Sequence, residues 1–542
     1  MSGTFRVPAP VNEPIHSYAP GTPERAELKA ALDRIGGQQV DIPVIIGGEA
    51  VRTGRTHEIR SPHDHDLLLG VWHEAGPAEA QKAIANTVEA RREWASWPWE
   101  DRAAVFLKAA DLLAETWRST LNAATMLGQS KNAFQSEIDA ACEIVDFYRF
   151  GAHFADRIFE QQPISDRGVW NRMEYRPLEG FVYAVSPFNF TAIGANLAGT
   201  PAMVGCGVLW KPSKHAVLSG YYTYKLLEEA GLPPGVINFV PGNPAGITEV
   251  AMGHPDFAGL HFTGSTEVFQ SLWNTVGRNI ATYRSYPRLV GETGGKDFIV
   301  AHPSADHAAL RTAIIRGSFE YQGQKCSAAS RAYIPRSVWK AIRDDLVDET
   351  NELRMGVPTD FRNFVNAVID RGAFSSITGY IDRAAASADA DVIAGGEYSD
   401  AEGFFIRPTL IEARRPDHES MCDEIFGPVM SICVYPDNEW SETLDTVDRT
   451  SPYALTGAVF SQDRTGVRDA LDRLRNAAGN FYINDKPTGA VVGQQPFGGG
   501  RASGTNDKAG SAFNIIRWLT PRTIKETMVP ATSVGYPFME EA

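Results

Sequence analysis

Apolar residues recur at two different periods along this chain of 542 residues, and the change of period divides it. Near the start, Thr22 and Pro23 open a helical pattern in which Leu28, Ala31, Leu32 and Ile35 share one face before Gly36-Gly37. Ile42 to Ile46 reads as a short strand. Between Pro77 and Trp117, Val105, Leu112 and Leu113 return at helical spacing among charges, which predicts two helices; Lys131 to Arg149 predicts another. Arg172 to Tyr183 alternates like a strand, with Met173, Tyr175 and Leu178 against polar neighbours, and is expected to leave the core as an oligomer contact.

After this point short apolar runs alternate with helical stretches. Phe181–Val185, Gly207–Lys211, Val236–Val240 and Gly259–Thr263 read as strands, and His215–Ala230, Ala245–Met252 and Thr266–Asn279 as helices between them. That alternation predicts an α/β fold with a doubly wound, mostly parallel sheet. A second α/β unit runs from about Gly291 to Gly479, with helices such as Ala308–Phe319 and Val338–Leu353. The tail after Arg501, with its apolar run Ile515–Leu519, is expected to pair with the excursion around Arg172 in a small shared sheet.

Composition narrows the class. The length implies two or three domains, and 43% apolar with 22% charged residues is ordinary for a globular enzyme. A formal charge of −15 argues against nucleic acid or an anionic membrane surface as partner. Cys142, Cys206, Cys326, Cys422 and Cys433 are too few and scattered for a disulfide framework, and no spacing suggests a metal site. Residues 1–20 hold one Arg and four prolines without the apolar core of a signal peptide, so a cytoplasmic location is expected. Phe181 to Trp210 carries no charged side chain, but its prolines, asparagines and glycines suit a buried interior better than a membrane span.

Candidate chemistry centres on Cys326, in Gly323-Gln-Lys-Cys-Ser327. Small polar neighbours suit a reachable nucleophile, and a helix beginning there would favour its thiolate. Asn189, in Ser186-Pro-Phe-Asn-Phe190, follows the first strand of the sheet, where ligands bind in open α/β folds, and offers an uncharged amide donor for an oxyanion. Lys211 ends the next strand, within reach of ribose or phosphate. Phe262-Thr-Gly-Ser-Thr266 joins a strand to a helix whose free N–H groups suit a pyrophosphate, although G-x-G-x-x-G is absent. Glu292, among glycines, is a candidate general base. Glu424 is a candidate ribose acceptor, and Phe426 and Phe497 are candidate pocket walls. Taken singly, each has an ordinary structural reading: a buried thiol, a turn asparagine, a solvated lysine, a core aromatic.

Together, in this order and at these separations, the six stretches resemble the aldehyde dehydrogenase superfamily over nearly the whole chain. The resemblance implies a Rossmann-type cofactor domain (residues 1–160 and 185–290) and an α/β catalytic domain (291–480). It further implies an oligomerisation flap (161–184 and 510–542) and a substrate-pocket loop region (481–509). It implies Cys326 as nucleophile, Glu292 as base, and an oxyanion hole from Asn189 and the Cys326 N–H. NAD would be held by Lys211, Ser213, Gly264, Ser265 and Glu424, with Ser186, Pro187, Phe188 and Phe426 beside it. Within the superfamily, Ser136-Glu-Ile-Asp139, Gly323-Gln-Lys-Cys-Ser327 and Pro487-Thr-Gly-Ala490 resemble the branch that oxidises L-glutamate γ-semialdehyde in proline catabolism. Ser327, Gly489 and Ala490 would then take the α-carboxylate of that substrate without a buried cation. Glu137 would face its ammonium group, and Phe497 its methylenes. A homo-oligomer, at least dimeric, is implied.

Two departures stand out. Phe269 occupies the place of a common glycine four residues after Ser265, and Lys214 stands where superfamily members often carry an acid that grips the adenosine ribose. A cation there would not repel a 2′-phosphate, so NADP tolerance is expected alongside NAD. The competing readings are oxidation of another acidic semialdehyde such as succinate semialdehyde, and a cofactor-independent thiol hydrolase. The second would need an orienting histidine, and none of the twelve lies in a fitting motif.

Overall fold

The computed structural model describes residues 5–541. Its centre is a seven-stranded sheet in the order Arg288–Glu292, Phe257–Thr263, Phe181–Val185, Gly207–Lys211, Ile237–Phe239, Val44–Ile46, Glu49–Val51. The first five strands are mutually parallel, and the last two join antiparallel. Counted along the chain, the parallel strands lie in the order five, four, one, two, three. The winding therefore reverses between Phe181–Val185 and Phe257–Thr263, which is where an open α/β sheet leaves a crevice at its carboxyl edge. The helix Thr191–Met203, inside the uncharged stretch, is buried almost throughout. No helix among the described residues is long and apolar enough to cross a membrane.

A second seven-stranded sheet is parallel except for one antiparallel edge strand. Its order is Ala390–Ala394, Thr409–Ala413, Val429–Tyr435, Ala329–Pro335, Asp297–Ala301, Thr456–Phe460, Asn480–Ile483. Cys326 and Glu424 precede strands of this sheet, whereas Asn189 and Glu292 lie at the carboxyl ends of strands of the first. The carboxyl edge of one sheet thus faces the amino edge of the other.

Several element boundaries differ from the expected ones. Pro43 splits the first expected strand into Val40–Ile42, paired with Asp64–His73, and Val44–Ile46. The excursion is two strands: Val169–Pro177 pairs antiparallel with Leu519–Thr527 over nine residues, and Phe181–Val185 returns to the sheet. Gly180, at φ 119, makes that corner because a Cβ would strike the Asp256 carbonyl. The projecting ribbon is therefore shorter than residues 161–184 and 510–542. Ile515, Trp518 and Leu519 pack into the first core.

The expected helix from Lys131 to Arg149 is composite. Ala133–Ser136 is α-helical, Glu137–Glu143 is a π-helix, and Ile144–Phe159 is α-helical again. A π-turn inserts a residue and rotates the helix beyond it, so it decides which acids of this segment face inward.

Candidate active site

Cys326 lies in a turn between the helix His307–Phe319 and the strand Ala329–Pro335, so no helix begins there. The turn is set by three successive left-handed residues, Tyr321, Gln322 and Gly323, at φ 51, 56 and 66. Two of these are not glycine, at a cost of roughly 1–2 kcal/mol each. Side-chain bonds hold them: Gln322 Nε2 donates to the Ser130 and Ala367 carbonyls, and Gln324 Oε1 accepts from the Ile369 N–H at 2.9 Å. Contrary to the expected thiolate, burial pushes the Cys326 thiol well above its usual range, and the nearby carboxyls of Asp297, Glu424 and Glu292 push the same way. Burial therefore favours the neutral form of Cys326 over the thiolate.

The Asn189 side chain reaches across from the first sheet, its Nδ2 donating to the Gln324 carbonyl at 3.1 Å. This contact places an amide donor at the Cys326 turn. Glu292 ends the strand Arg288–Glu292, and its Oε2 accepts from the Gly499 N–H at 3.1 Å. Burial raises its carboxyl well above the ordinary range, while the Gly499 N–H and the Lys508 ammonium oppose the shift. A carboxylate raised in this way is a stronger base.

Around these three, Gly294 and Gly295 bring Glu424 close: the Gly295 N–H donates to Glu424 Oε1 at 2.8 Å. Burial lifts the Glu424 carboxyl to about 7. Lys211 ends its strand with the ammonium almost fully buried, donating to the Pro212 carbonyl, and burial lowers it to about 8. Ser213 caps the 3-10 turn Lys214–Ala216, and Ser265 caps the helix Thr266–Asn279. Phe426, at φ 55, stands edge-on to Phe188, with Pro187 partly exposed beside it.

Some expected contacts are already spent. The Ser186 hydroxyl accepts the Trp210 indole N–H, and the Gly264 N–H donates to the Glu292 carbonyl. An anion there is left with the Ser265 hydroxyl and the first-turn N–H groups of the following helix. Phe269 packs that helix against the sheet. Its ring stacks on Phe262 and fills the space over Gly291, where a Cβ would collide with it. Lys214 is exposed, and its neighbour His215 pairs with Asp370 of the second unit at 2.9 Å.

On the far side of the thiol, the Ser327 hydroxyl bonds that of Thr488 at 2.8 Å, which joins it to Gly489 and Ala490. Phe497, partly exposed, pairs its backbone with Ala509. Lys486, partly exposed, donates its Nζ to the Thr488 carbonyl in the same loop at 3.1 Å.

Glu137 does not line this space. Its carboxylate is fully buried and takes hydrogen bonds from the His16 N–H, Tyr18, Asn122 and Arg118. Burial alone would raise it, but the guanidinium of Arg118 wins and holds it low. Arg118 also binds Glu13 of the N-terminal strap, so Glu137 fastens that strap to the helices. Glu143, at the other end of the π-helix, is partly exposed. Burial and the Asp139 charge lift its carboxyl to about 8, against the pull of Lys131.

A family model described as the aldehyde dehydrogenase family matches residues 50–524. The chain belongs to the aldehyde dehydrogenase family. Among relatives, it is 51% identical over 536 residues to the mitochondrial delta-1-pyrroline-5-carboxylate dehydrogenase of Dictyostelium discoideum, covering 98% of this chain and 96% of that one. Against a probable delta-1-pyrroline-5-carboxylate dehydrogenase of Schizosaccharomyces pombe it is 50% identical, covering 98% of both. Among solved structures, the delta-pyrroline-5-carboxylate dehydrogenase of Mycobacterium tuberculosis bound with NAD superposes with a TM-score of 0.97 at 53% identity, each chain covered in full. As an aldehyde dehydrogenase, the chain has the two-sheet arrangement that its alternating strands and helices imply.

Proposed function

We propose that the protein oxidises L-glutamate γ-semialdehyde, the open form of 1-pyrroline-5-carboxylate, to L-glutamate with NAD, as the second step of proline catabolism. The observation that carries this reading is the convergence of the Asn189 amide, the Glu292 carboxyl and the Cys326 thiol between the two sheets. The donor set suits a dinucleotide: a buried ammonium (Lys211), a carboxyl held at a glycine pair (Glu424), a capped helix start (Ser265) and an aromatic face (Phe426). When bound, NAD accepts the hydride from the substrate carbon.

The Cys326 sulfur passes its proton to solvent water as it adds to the aldehyde carbon, forming a hemithioacetal whose oxygen carries the negative charge. Asn189 Nδ2 and the Cys326 N–H receive the oxyanion. Both donors are neutral and fixed before reaction, so they stabilise charge as it develops. Loss of hydride leaves a thioester on Cys326. Glu292 takes a proton from water, which attacks that thioester, and the thiol leaves with the acid released. The Ser327 hydroxyl and the N–H groups of Gly489 and Ala490 take the α-carboxylate, with Lys486 adding attraction. Phe497 lies along the methylenes.

The chain divides functionally into a cofactor unit (1–160 and 185–290), a catalytic unit (291–480) and a pocket loop (481–509), with a flap formed by the ribbon Val169–Pro177 and Leu519–Thr527. The ribbon of that flap supports a homo-oligomer, because two strands alone are marginally stable in water and gain from a neighbour. Exposed Lys214 supports some tolerance of NADP. Five free cysteines support a reducing compartment, taken to be the cytoplasm; activity that sediments with organelles would overturn that placement. The substrate assignment is tested by following reduced cofactor with glutamate semialdehyde and with succinate semialdehyde. Preference for the latter removes the amino-acid pocket. Ester cleavage without any cofactor reduction favours a thiol hydrolase instead.

A further inference from the structure

Two loops from different sheets supply the oxyanion hole, and a third segment, Gln129-Ser130-Lys131, touches both. Gln129 Nε2 donates to the Phe188 carbonyl, and its Oε1 accepts from the Thr191 hydroxyl at 3.0 Å. These bonds grip the Asn189 loop from either side. Ser130, itself left-handed at φ 56, gives its carbonyl to Gln322 of the Cys326 loop at 3.0 Å. Lys131 lies between the two loops. Its ammonium sits 4.1 Å from the ring centre of Phe190, next to Asn189, and 4.4 Å from that of Tyr321, in the left-handed run before Cys326.

The lysine is fixed in turn. Lys131 and Asp139 form an ion pair of 2.7 Å with both side chains completely buried. The same Asp139 carboxylate accepts the N–H groups of Thr191 and Ala192 at 3.0 and 2.8 Å, capping the helix that begins just after Asn189. One charge pair therefore ties the start of that helix to the strained turn of the nucleophile. A buried pair is costly to desolvate, and its use here is to fix geometry rather than to add stability.

The geometry points to Lys131, held by Asp139, as a positioning residue that sets the distance between the Asn189 amide and Cys326. It touches neither substrate nor cofactor in this role. It acts through the Phe190 and Tyr321 rings on the two donors of the oxyanion hole. The inference rests on the proposed use of Cys326 and Asn189, and not on which aldehyde is the substrate.

The test separates oxyanion chemistry from thiol chemistry in the full-length protein. Lys131→Met should lower the dehydrogenase kcat and the hydrolysis of p-nitrophenyl acetate by the same factor, about a hundredfold, since both pass through an oxyanion. Alkylation of Cys326 by iodoacetamide, which forms no oxyanion, should stay within about twofold of the wild type, as should NAD affinity by fluorescence quenching. In an Asn189→Ala background, Lys131→Met should slow ester hydrolysis no further, because the contact it serves is already gone. Additive losses in that double variant, or alkylation slowed in parallel, would overturn the inference. If Lys131→Met leaves Asp139 unpaired and does not fold, Tyr321→Leu keeps both charges and removes the link; it should show the same pattern, and an unchanged kcat overturns the proposal. A substrate other than glutamate semialdehyde would leave the ester and alkylation arms intact, so the two readings fail separately.

Discussion

The glycine pair between Glu292 and the second sheet offers a test in which one methyl group is added at two adjacent positions with different expected results. At Gly295 a Cβ would lie 2.7 Å from Asp297 Oδ2, 0.7 Å inside the 3.4 Å of an ordinary contact, and nearer still to the carbonyl oxygen of Cys326. That oxygen is backbone and cannot rotate away, so the Cys326 turn must shift by about 1 Å, a displacement worth roughly a hundredfold in rate if Cys326 is the nucleophile we propose. At Gly294 the new atom meets Glu424, 2.9 Å from its Cδ, at the end of a flexible side chain. We predict that Gly295→Ala lowers kcat about a hundredfold, whereas Gly294→Ala chiefly raises the KM for NAD. Gly277→Ala, with nothing within 4 Å of the added atom, should be neutral or slightly stabilising. Steady-state kinetics on all three, with thermal melts to confirm folding, would decide. A Gly295→Ala enzyme with kcat within about threefold of the wild type would refute the idea that this crossing sets the position of the thiol.

Glu292→Gln should allow the first turnover and stall the second. Rapid mixing should show a burst of reduced cofactor near one equivalent per site, followed by a steady rate reduced by about a hundredfold or more; absence of a burst would place Glu292 before hydride transfer. Glu143→Gln probes the raised carboxyl at the end of the π-helix and should change the KM for either semialdehyde little. Its stability effect carries a sign as well. A carboxyl raised to about 8 in the folded state binds more protons there than when unfolded, so its penalty is absent at low pH and grows as pH rises towards 8. Melting curves should therefore show the glutamine variant gaining over the wild type near pH 8 and matching it near pH 4. Phe269→Ala should cost about 3 kcal/mol in chemical denaturation by opening a cavity over Gly291, and should raise the KM for NAD as the helix at Ser265 loosens.

Much of this architecture was legible because burial imposes periodicity. Strands covered on both faces read as short apolar runs, and Asn189, Glu292 and Cys326 each sit where such a run meets glycine or a small polar residue. The illegible part depends on local backbone departures that no periodicity marks. The π-turn at Glu137–Glu143 leaves no mark in the periodicity, and the acid expected to face the pocket, Glu137, is instead locked to Arg118. A helix holding Glu137, Asp139 and Glu143 among apolar residues was an available signal, since so many acids on a buried helix need partners. The left-handed run at Tyr321 and Gln322 was equally hidden, because distant bonds to Ser130, Ala367 and Asn366 offset its unfavourable conformation. The upward push on the thiol was hidden for the same reason: it comes from burial and from carboxyls on two separate stretches, Glu292 with Asp297 and Glu424.

The burial of Cys326 has a bearing on survival in an aerobic cell. Peroxide attacks the thiolate form, so burial that disfavours the thiolate should slow conversion of this sulfur to sulfenic acid. Vulnerability is then confined to the short interval of each turnover in which the sulfur is ionised and not yet bonded to carbon, and inactivation by peroxide should accelerate under conditions that ionise it.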